Sequence, residues 1–375
     1  MKGVAILGST GSIGTSALRV IERQRERFRV VALTAYGSAE MLEEQIAASG
    51  ATFGGLVNGG PGASDNGLMP GPECLVEAAT HPDADIVLNA VVGAAGLQAT
   101  LAALKAGKRV ALANKETLVM AGDLVKEAAR QGGGEIVPID SEHSAVLQCV
   151  VGRPHSEMRR LILTASGGPF REWPADKLHE ATVEEAMQHP TWNMGPKITV
   201  DSATLANKAL EVIEAHHLFE LGYDAIEVVV HPQSIIHAFT EFVDGSVLAQ
   251  VGFPTMELPI LYALTYPDRV TDATVGAFDP VEAGPLTFEP LRRDDFPSFE
   301  LGVEAGRSGQ TYPAVFNATN EVAVAAFLEG KIQFGQIPEV VRSVLDDHEA
   351  STLDLESVLA ADRWARVEGE TRCSQ

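Results

Sequence analysis

With 375 residues, 45% of them hydrophobic and 21% charged, the chain has the composition of a globular enzyme of two or three domains with a sizeable core. Its 51 acidic against 28 basic side chains give a formal net charge of -23, which excludes nucleic acid and an anionic membrane surface as main partners. The cysteines Cys74, Cys149 and Cys373 lack metal or redox spacing, the N-terminus reaches a glycine turn too soon for a signal sequence, and Asn89, Gln98, Lys105, Lys108 and Arg109 interrupt the apolar run from 86 to 113. The expectation is a cytoplasmic protein without a disulfide framework or a transmembrane span.

Gly3-Val4-Ala5-Ile6-Leu7 reads as a buried strand, followed at once by Gly8-Ser9-Thr10-Gly11-Ser12-Ile13-Gly14 and a helix through Ala17, Leu18 and Ile21. This is a Rossmann first turn in the spacing G-x-x-G-x-x-G. Its glycines permit the tight turn and let a pyrophosphate approach the free N–H groups of the helix start. A second strand, 29–35, ends in Tyr36-Gly37-Ser38 with no Asp or Glu for a ribose 2′-OH, so NADP is expected rather than NAD. No Lys or Arg stands there either, which leaves the Gly37 N–H and the Ser38 hydroxyl as donors.

Strands at 51–57, 85–89, 109–113 and 135–139 continue the alternation, with a Gly/Pro/Asn loop at 58–72 and helices at 94–106 and 116–131. That is a doubly wound parallel sheet, whose ligands sit beyond the carboxyl ends of the strands. Asn89, Asn114-Lys115-Glu116 and Asp140-Ser141-Glu142 each fall at such an end. If the strand runs on, Asp140 and Glu142 at i, i+2 point to one side, and two close carboxylates suit a hard divalent ion. The competing reading is a helix start, with Asp140 or Ser141 as N-cap before Ala145-Val146-Leu147.

A second region follows. Strand 160–165 runs into Ser166-Gly167-Gly168-Pro169, which can present hydroxyl and N–H groups to a phosphate, although it is also ordinary turn chemistry. His189-Pro190-Thr191-Trp192-Asn193-Met194-Gly195-Pro196 suits a lid closing apolar surface over a ligand; the alternative is a loop whose aromatic packs on the core. Residues 201–211 read as one helix with Ser202 near its start. Asn207 and Glu211 then share a face beside Lys208, either to address a phosphate and a metal or as a solvated face. After a strand at 225–230, His231 and His237 are read as structural, and a hairpin turns at Asp244-Gly245. Residues 271–297 form a linker, and helical patterns at 313–329, 335–348 and 354–365 form a bundle, in which Asn317-Ala318-Thr319-Asn320-Glu321 demands no chemistry.

On the Gly8–Gly14 turn, Ala113-Asn114-Lys115-Glu116, Asp140-Ser141-Glu142-His143, Ser166-Gly167-Gly168-Pro169, Asp201-Ser202-Ala203-Thr204 with Asn207, Lys208 and Glu211, and His231-Pro232-Gln233-Ser234-Ile235-Ile236-His237, in that order, the chain resembles the 1-deoxy-D-xylulose 5-phosphate reductoisomerases from end to end. The resemblance implies an NADPH-binding domain (1–140), a catalytic α/β domain (141–270), the linker (271–297) and a helical domain (298–375), assembled as a homodimer. It implies that Asp140, Glu142 and Glu211 hold Mn, Mg or Co, and that Ser166, Ser202, Asn207 and Lys208 bind the phosphate of a sugar phosphate. Lys115, Ser141, Glu142 and His189 would meet the rest of that substrate under a lid bearing Trp192 and Met194. Gly8, Thr10, Gly11, Ser12, Ile13, Gly14, Gly37, Ser38, Asn114, Glu116 and Gly195 would line the NADPH. Two stretches depart from the family: Gly37-Ser38 replaces a basic residue followed by Asn, and Pro254-Thr255-Met256-Glu257 replaces Pro-Asp-Met-Arg. Two rivals are a metal-free semialdehyde reductase, drawing on Cys149 as nucleophile, and a non-catalytic cofactor-sensing module.

Overall fold

The computed structural model describes residues 1–59 and 67–374; residues 60–66 of the expected 58–72 loop, and residue 375, lie outside the described residues. Val4 to Leu7 have no solvent exposure at all, as a strand covered on both faces requires. That strand, β1 (Lys2–Leu7), is central in a parallel sheet with β2 (Phe28–Ala35), β3 (Phe53–Leu56), β4 (Met69–Pro70), β5 (Ile86–Asn89), β6 (Arg109–Leu112) and β7 (Glu135–Pro138). Among the described residues the order is β4-β3-β2-β1-β5-β6-β7, every pairing parallel. Strand order reverses beside β1, so the sheet's crevice opens where the glycine turn lies.

The chain forms two compact units, neither contiguous in sequence. The first comprises Met1–Thr117, Asp123–Ser144 and Thr255–Gly276. The last of these segments joins by burying Ile260, Leu261, Ala263 and Leu264 of its helix Glu257–Thr265, with ion pairs beside that apolar face. Arg19 Nε lies 3.1 Å and Arg23 Nη2 2.6 Å from Glu257, Arg23 Nε lies 3.0 Å from Asp272, and Arg109 Nη1 donates to the Leu264 carbonyl. Glu257, one of the two departures from the family pattern, is thus the centre of an ion-pair cluster.

The second unit comprises Leu118–Gly122, Ala145–Pro254 and Ala277–Gln375. It holds a mixed sheet of β8 (Met158–Ala165), β9 (Ile226–Val230), β10 (Ile236–Phe242), β11 (Val247–Val251) and β12 (Glu289–Pro290), in the order β11-β10-β8-β9-β12. The β10–β11 hairpin turns at Asp244-Gly245 as expected, Gly245 adopting φ 83°. The stretch read as linker is partly sheet: Glu289 and Pro290 pair antiparallel with Val230 and Val229. A two-residue edge strand with a proline is too short to show a period in sequence.

Helices Pro297–Ser308, Tyr312–Leu328, Gln336–Asp346 and Leu355–Cys373 complete this unit. The first is additional to the three read from sequence. It lies against helix Ala206–Phe219 closely enough that a Cβ on Gly302 would come within 2.6 Å of the Ala209 methyl. Leu163, Phe170, Ile213, Phe299, Phe316, Phe327 and Ile337 share one core. The central and C-terminal segments are therefore joined by burial of common apolar surface.

Candidate active-site residues of the two units

The glycine turn is built around Gly8, whose φ of 85° and approach to the Ala90 carbonyl exclude a side chain. At Gly14 a Cβ would meet the Gly8 carbonyl at 2.3 Å. Gly11 differs: an added Cβ would touch only the Gly8 oxygen, at 3.5 Å, an ordinary contact. Packing does not require glycine there. Gly11 is also the N-cap of helix Ser12–Arg23 and offers no capping side chain, so first-turn N–H groups stay open to an anion. At the end of β2, Gly37 has open space around it and Ser38 caps helix Ala39–Ser49 without a side-chain bond.

Asn89 and Asn114 prove to be tied into the scaffold. Asn89 Nδ2 donates to Gly96 O (3.1 Å) and Thr100 Oγ1 (2.9 Å). Asn114 Nδ2 donates to Val91 O (2.7 Å), Gly93 O (2.9 Å) and Glu116 Oε2 (2.9 Å), while its Oδ1 accepts from Thr117 N–H as cap of helix Lys115–Gly132. The Asn114 amide fastens the end of β6 to the loop after β5, and the Asn89 amide fastens that loop to the helix that follows it.

At the end of β7 the strand-continuation reading gives way to the helical one. Ser144 N–H donates to Asp140 O (2.8 Å) and Glu142 N–H to Asp140 Oδ1 (3.3 Å), opening helix Ser141–Val150. Glu142 therefore stands in a first helical turn, where period-two alternation does not apply and a carboxylate is favoured by the helix dipole. Lys115 Nζ pairs with Asp140 Oδ2, the Ser141 hydroxyl donates to Glu142, and His143 Nδ1, wholly buried, lies 3.2 Å from Asp140 Oδ1. Burial pushes the Asp140 carboxyl up, but Lys115 and His143 outweigh it and hold it well below the usual carboxylate range. His143 had no assigned role in the sequence reading; its signal is the i, i+3 spacing from Asp140 once a helix starts there.

In the second unit the 201–211 stretch is two helices, Pro196–Thr204 and Ala206–Phe219, separated by Leu205 in the left-handed region (φ 61°). Ser202 thus lies near a helix end, and Gly195, expected in the lid, is the N-cap before Pro196. Asn207 and Lys208 occupy the first turn of the second helix. Both donate to Glu211, through Asn207 Nδ2 and Lys208 Nζ, and Lys208 Nζ also donates to the Thr164 carbonyl. Lys208, at 4% exposure, and Glu211, at 2%, are a paired buried site, which removes the solvated-face reading.

Thr164 leads directly into Ser166-Gly167-Gly168. Gly167 and Gly168 both have positive φ (86° and 67°), and a Cβ on Gly168 would come within 2.7 Å of the Ser202 carbonyl. His189 crosses to the same turn: its Nε2 lies 3.0 Å from Ser166 Oγ, while Nδ1 accepts from Trp192 N–H (2.9 Å) and Thr191 N–H (3.2 Å). With Nδ1 accepting, the ring carries its proton on Nε2, and burial lowers its pKa, so it is neutral. Ser166 Oγ then accepts from His189 Nε2–H and from Gly168 N–H (3.3 Å). Its own proton is left to donate outward. The Trp192 ring sits 6.1 Å from that of His237, and Thr191 Oγ1 donates to Pro232 O, so the 189–195 segment rests on the β9–β10 connection. His231 is structural as expected, its Nδ1 2.8 Å from Thr287 O and its ring stacked on Phe288.

Fold and side chains together define a class: an α/β oxidoreductase with a dinucleotide turn on a parallel sheet and buried, cation-paired carboxylates. Three family profiles match the chain. These are 1-deoxy-D-xylulose 5-phosphate reductoisomerase over residues 4–58 and 61–122, its C-terminal domain over 136–219, and the DXP reductoisomerase C-terminal domain over 251–368. The reductoisomerase of Thermomicrobium roseum is 50% identical over 370 residues, covering 97% of this chain and 96% of that protein. That of Pelotomaculum thermopropionicum is 50% identical over 382 residues, covering 98% of each. Among solved structures, the Zymomonas mobilis enzyme in complex with NADPH superposes with a TM-score of 0.92 at 41% identity, covering 100% of this chain and 99% of that one. A DOX-P reductoisomerase in complex with NADPH, fosmidomycin and magnesium gives 0.94 at 40% identity, covering 100% and 98%. The chain belongs to the 1-deoxy-D-xylulose 5-phosphate reductoisomerase family.

Proposed function

We propose that this chain is an NADPH- and divalent-metal-dependent enzyme that rearranges and reduces 1-deoxy-D-xylulose 5-phosphate to 2-C-methyl-D-erythritol 4-phosphate, a step of isoprenoid precursor synthesis. The observation that carries the reading is the match along nearly the whole chain to relatives of that name. The dinucleotide fits the local structure: the bare Gly11 backbone and the uncapped first turn suit a pyrophosphate. A hard divalent ion fits the all-oxygen donor set of Asp140, Glu142 and Glu211, with Asp140 held ionised, and we assign these three as its ligands, with Mg, Mn or Co as the ion.

When bound, the metal supplies Lewis acidity toward the oxygens of a hydroxyketone and NADPH supplies the hydride. The chain's own residues do the rest. The Lys208 ammonium, the outward proton of Ser166, Ser202 and the Asn207 amide anchor the substrate phosphate, so that remote binding energy fixes the reacting end. Lys115 and Ser141 address the carbon-chain oxygens. Neutral His189 keeps the Ser166 hydroxyl turned as a donor, and the segment with Trp192 and Met194 excludes water from the reactive aldehyde. We place the functional division at 1–140 for the cofactor and 141–270 for chemistry, with 255–270 packed in the first unit, in a cytoplasmic homodimer.

The test is NADPH consumption with 1-deoxy-D-xylulose 5-phosphate, with and without Mn. Oxidation that requires both sugar phosphate and metal is expected. Turnover indifferent to EDTA, or NADPH binding with no turnover, would overturn the reading.

A further inference from the structure

Ser9 is the second residue of the glycine turn and has no solvent exposure. Its Oγ donates to Gln45 Oε1 (2.7 Å), and Gln45 Nε2 donates back to the Ser9 carbonyl (3.1 Å). Both polar ends of one amide therefore grip one residue, 36 positions away, and the amide orientation is set by the pair. Gln45 projects from helix Ala39–Ser49, the helix that Ser38 begins. Ser9 N–H is held on the other side by the Thr34 carbonyl (2.8 Å).

The carbonyl of Ser9 and the N–H of Thr10 belong to one planar trans peptide and point in opposite directions. A carbonyl drawn toward Gln45 aims the Thr10 N–H away from that helix. Among the described residues that N–H has no hydrogen-bond acceptor. It stands two residues before Ser12, where the uncapped helix start attracts an anion. The geometry points to Gln45 as a positioning residue for the cofactor: by clamping the Ser9 carbonyl it holds the Thr10 N–H toward the pyrophosphate, without itself touching the dinucleotide. This rests on the NADPH reading above.

The Ser9 carbonyl bond orients the peptide, whereas the hydroxyl bond only supports it, so three variants separate the two. NADPH dissociation constants are measured by fluorescence titration in the absence of substrate, beside thermal melting and the KM of each substrate. Gln45→Leu removes both bonds, Gln45→Glu keeps an acceptor for the Ser9 hydroxyl but loses the donor to the carbonyl, and Ser9→Ala does the converse. Gln45→Leu and Gln45→Glu are expected to weaken NADPH about tenfold and Ser9→Ala no more than about threefold, the scale of one or two neutral hydrogen bonds. KM for the sugar phosphate and kcat at saturating NADPH stay within about twofold of the parent. Should Gln45→Leu fail to fold, the order of Gln45→Glu against Ser9→Ala decides. The inference is overturned if Gln45→Glu binds NADPH like the parent, if Ser9→Ala is the weaker binder, or if both KM values rise together. A parent protein that does not bind NADPH at all would instead sink the functional reading.

Discussion

Ser166 acquires a role from its neighbours: two donors, His189 Nε2–H and Gly168 N–H, occupy the lone pairs of its oxygen and leave its own proton to donate to a third group. Nothing in Ser166-Gly167-Gly168-Pro169 announces this, because His189 lies 23 residues away. Lys208 and Glu211 were nearer to legible, being one turn apart on a helix, but their burial was not. Glu211→Gln keeps the shape and removes the charge; at limiting Mn, kcat/KM should fall by ~100-fold or more, with partial recovery at high Mn, since even residues behind a metal ligand are worth ~10–100-fold. Near-parental activity at limiting Mn would remove Glu211 from the ligand set. The second departure, Gly37-Ser38, falls in a stretch from 30 to 104 without a single Lys or Arg, and Glu40 sits in the first turn of the following helix. With the 2′-phosphate of NADPH placed at Gly37-Ser38 as proposed, a cation supplied there would pair with it and gain nothing on NADH. Ser38→Arg should therefore raise the ratio of kcat/KM for NADPH over NADH by about tenfold, the scale of a charge-assisted hydrogen bond; an unchanged ratio would place the 2′-phosphate elsewhere.

At the scale of elements, β1, β2, β3, β5, β6 and β7 follow from apolar runs and glycine stops, with expected limits within a few residues of the observed ones, whereas β4 (Met69–Pro70) lies in the stretch expected as a loop. A further error lies where no punctuation residue stands. No glycine or proline occurs from 197 to 221, so the break at Leu205 is silent in sequence. Its cause is tertiary: the Leu205 side chain is 4% exposed in the core, and the left-handed backbone is the conformation that puts it there. Left-handed strain costs about 1–2 kcal/mol for a residue with a Cβ, whereas emptying a buried leucine site costs about 2–5 kcal/mol. Burial wins. Leu205→Gly should thus destabilise the protein by roughly 2 kcal/mol in urea denaturation despite relieving the backbone, and a neutral or stabilising result would mean that strain dominates.

For the whole molecule, the segment 255–276 joins the first unit through the buried face of helix Glu257–Thr265, and Arg19 and Arg23 add ion pairs to Glu257 and Asp272. Burial pushes both carboxyls up, but the arginines, with Thr274 for Asp272, outweigh it and leave both below their ordinary values. A carboxylate depressed in the folded state adds stability above its unfolded pKa of about 4 and loses it as pH falls through the folded value. Glu257→Gln should therefore lower Tm at pH 7, with the difference from the parent shrinking below about pH 4; a difference that persists at pH 3 would mean that packing, not charge, is involved. Strand β11 ends the second unit's sheet and exposes Val247, Leu248 and Val251. An open apolar edge invites a second copy, so Leu248→Lys should shift the proposed homodimer toward monomer in analytical ultracentrifugation, and an unchanged sedimentation coefficient would exclude β11 from the interface.

Taken alone, the sequence determined what depends on neighbours a few residues apart: the glycine turn after β1, the parallel α/β repeat, and which carboxylates, amides and lysines stand at strand and helix ends. Residue type and local periodicity carry that information. Only the tertiary structure decided that 255–276 joins the first unit, that the linker lends β12 to the second sheet, that the central and C-terminal segments share a core, and that His189 meets Ser166. Each of these rests on pairs such as Arg23 and Asp272, 249 residues apart, whose meeting is set by burial and charge over the folded chain and leaves no local pattern to read.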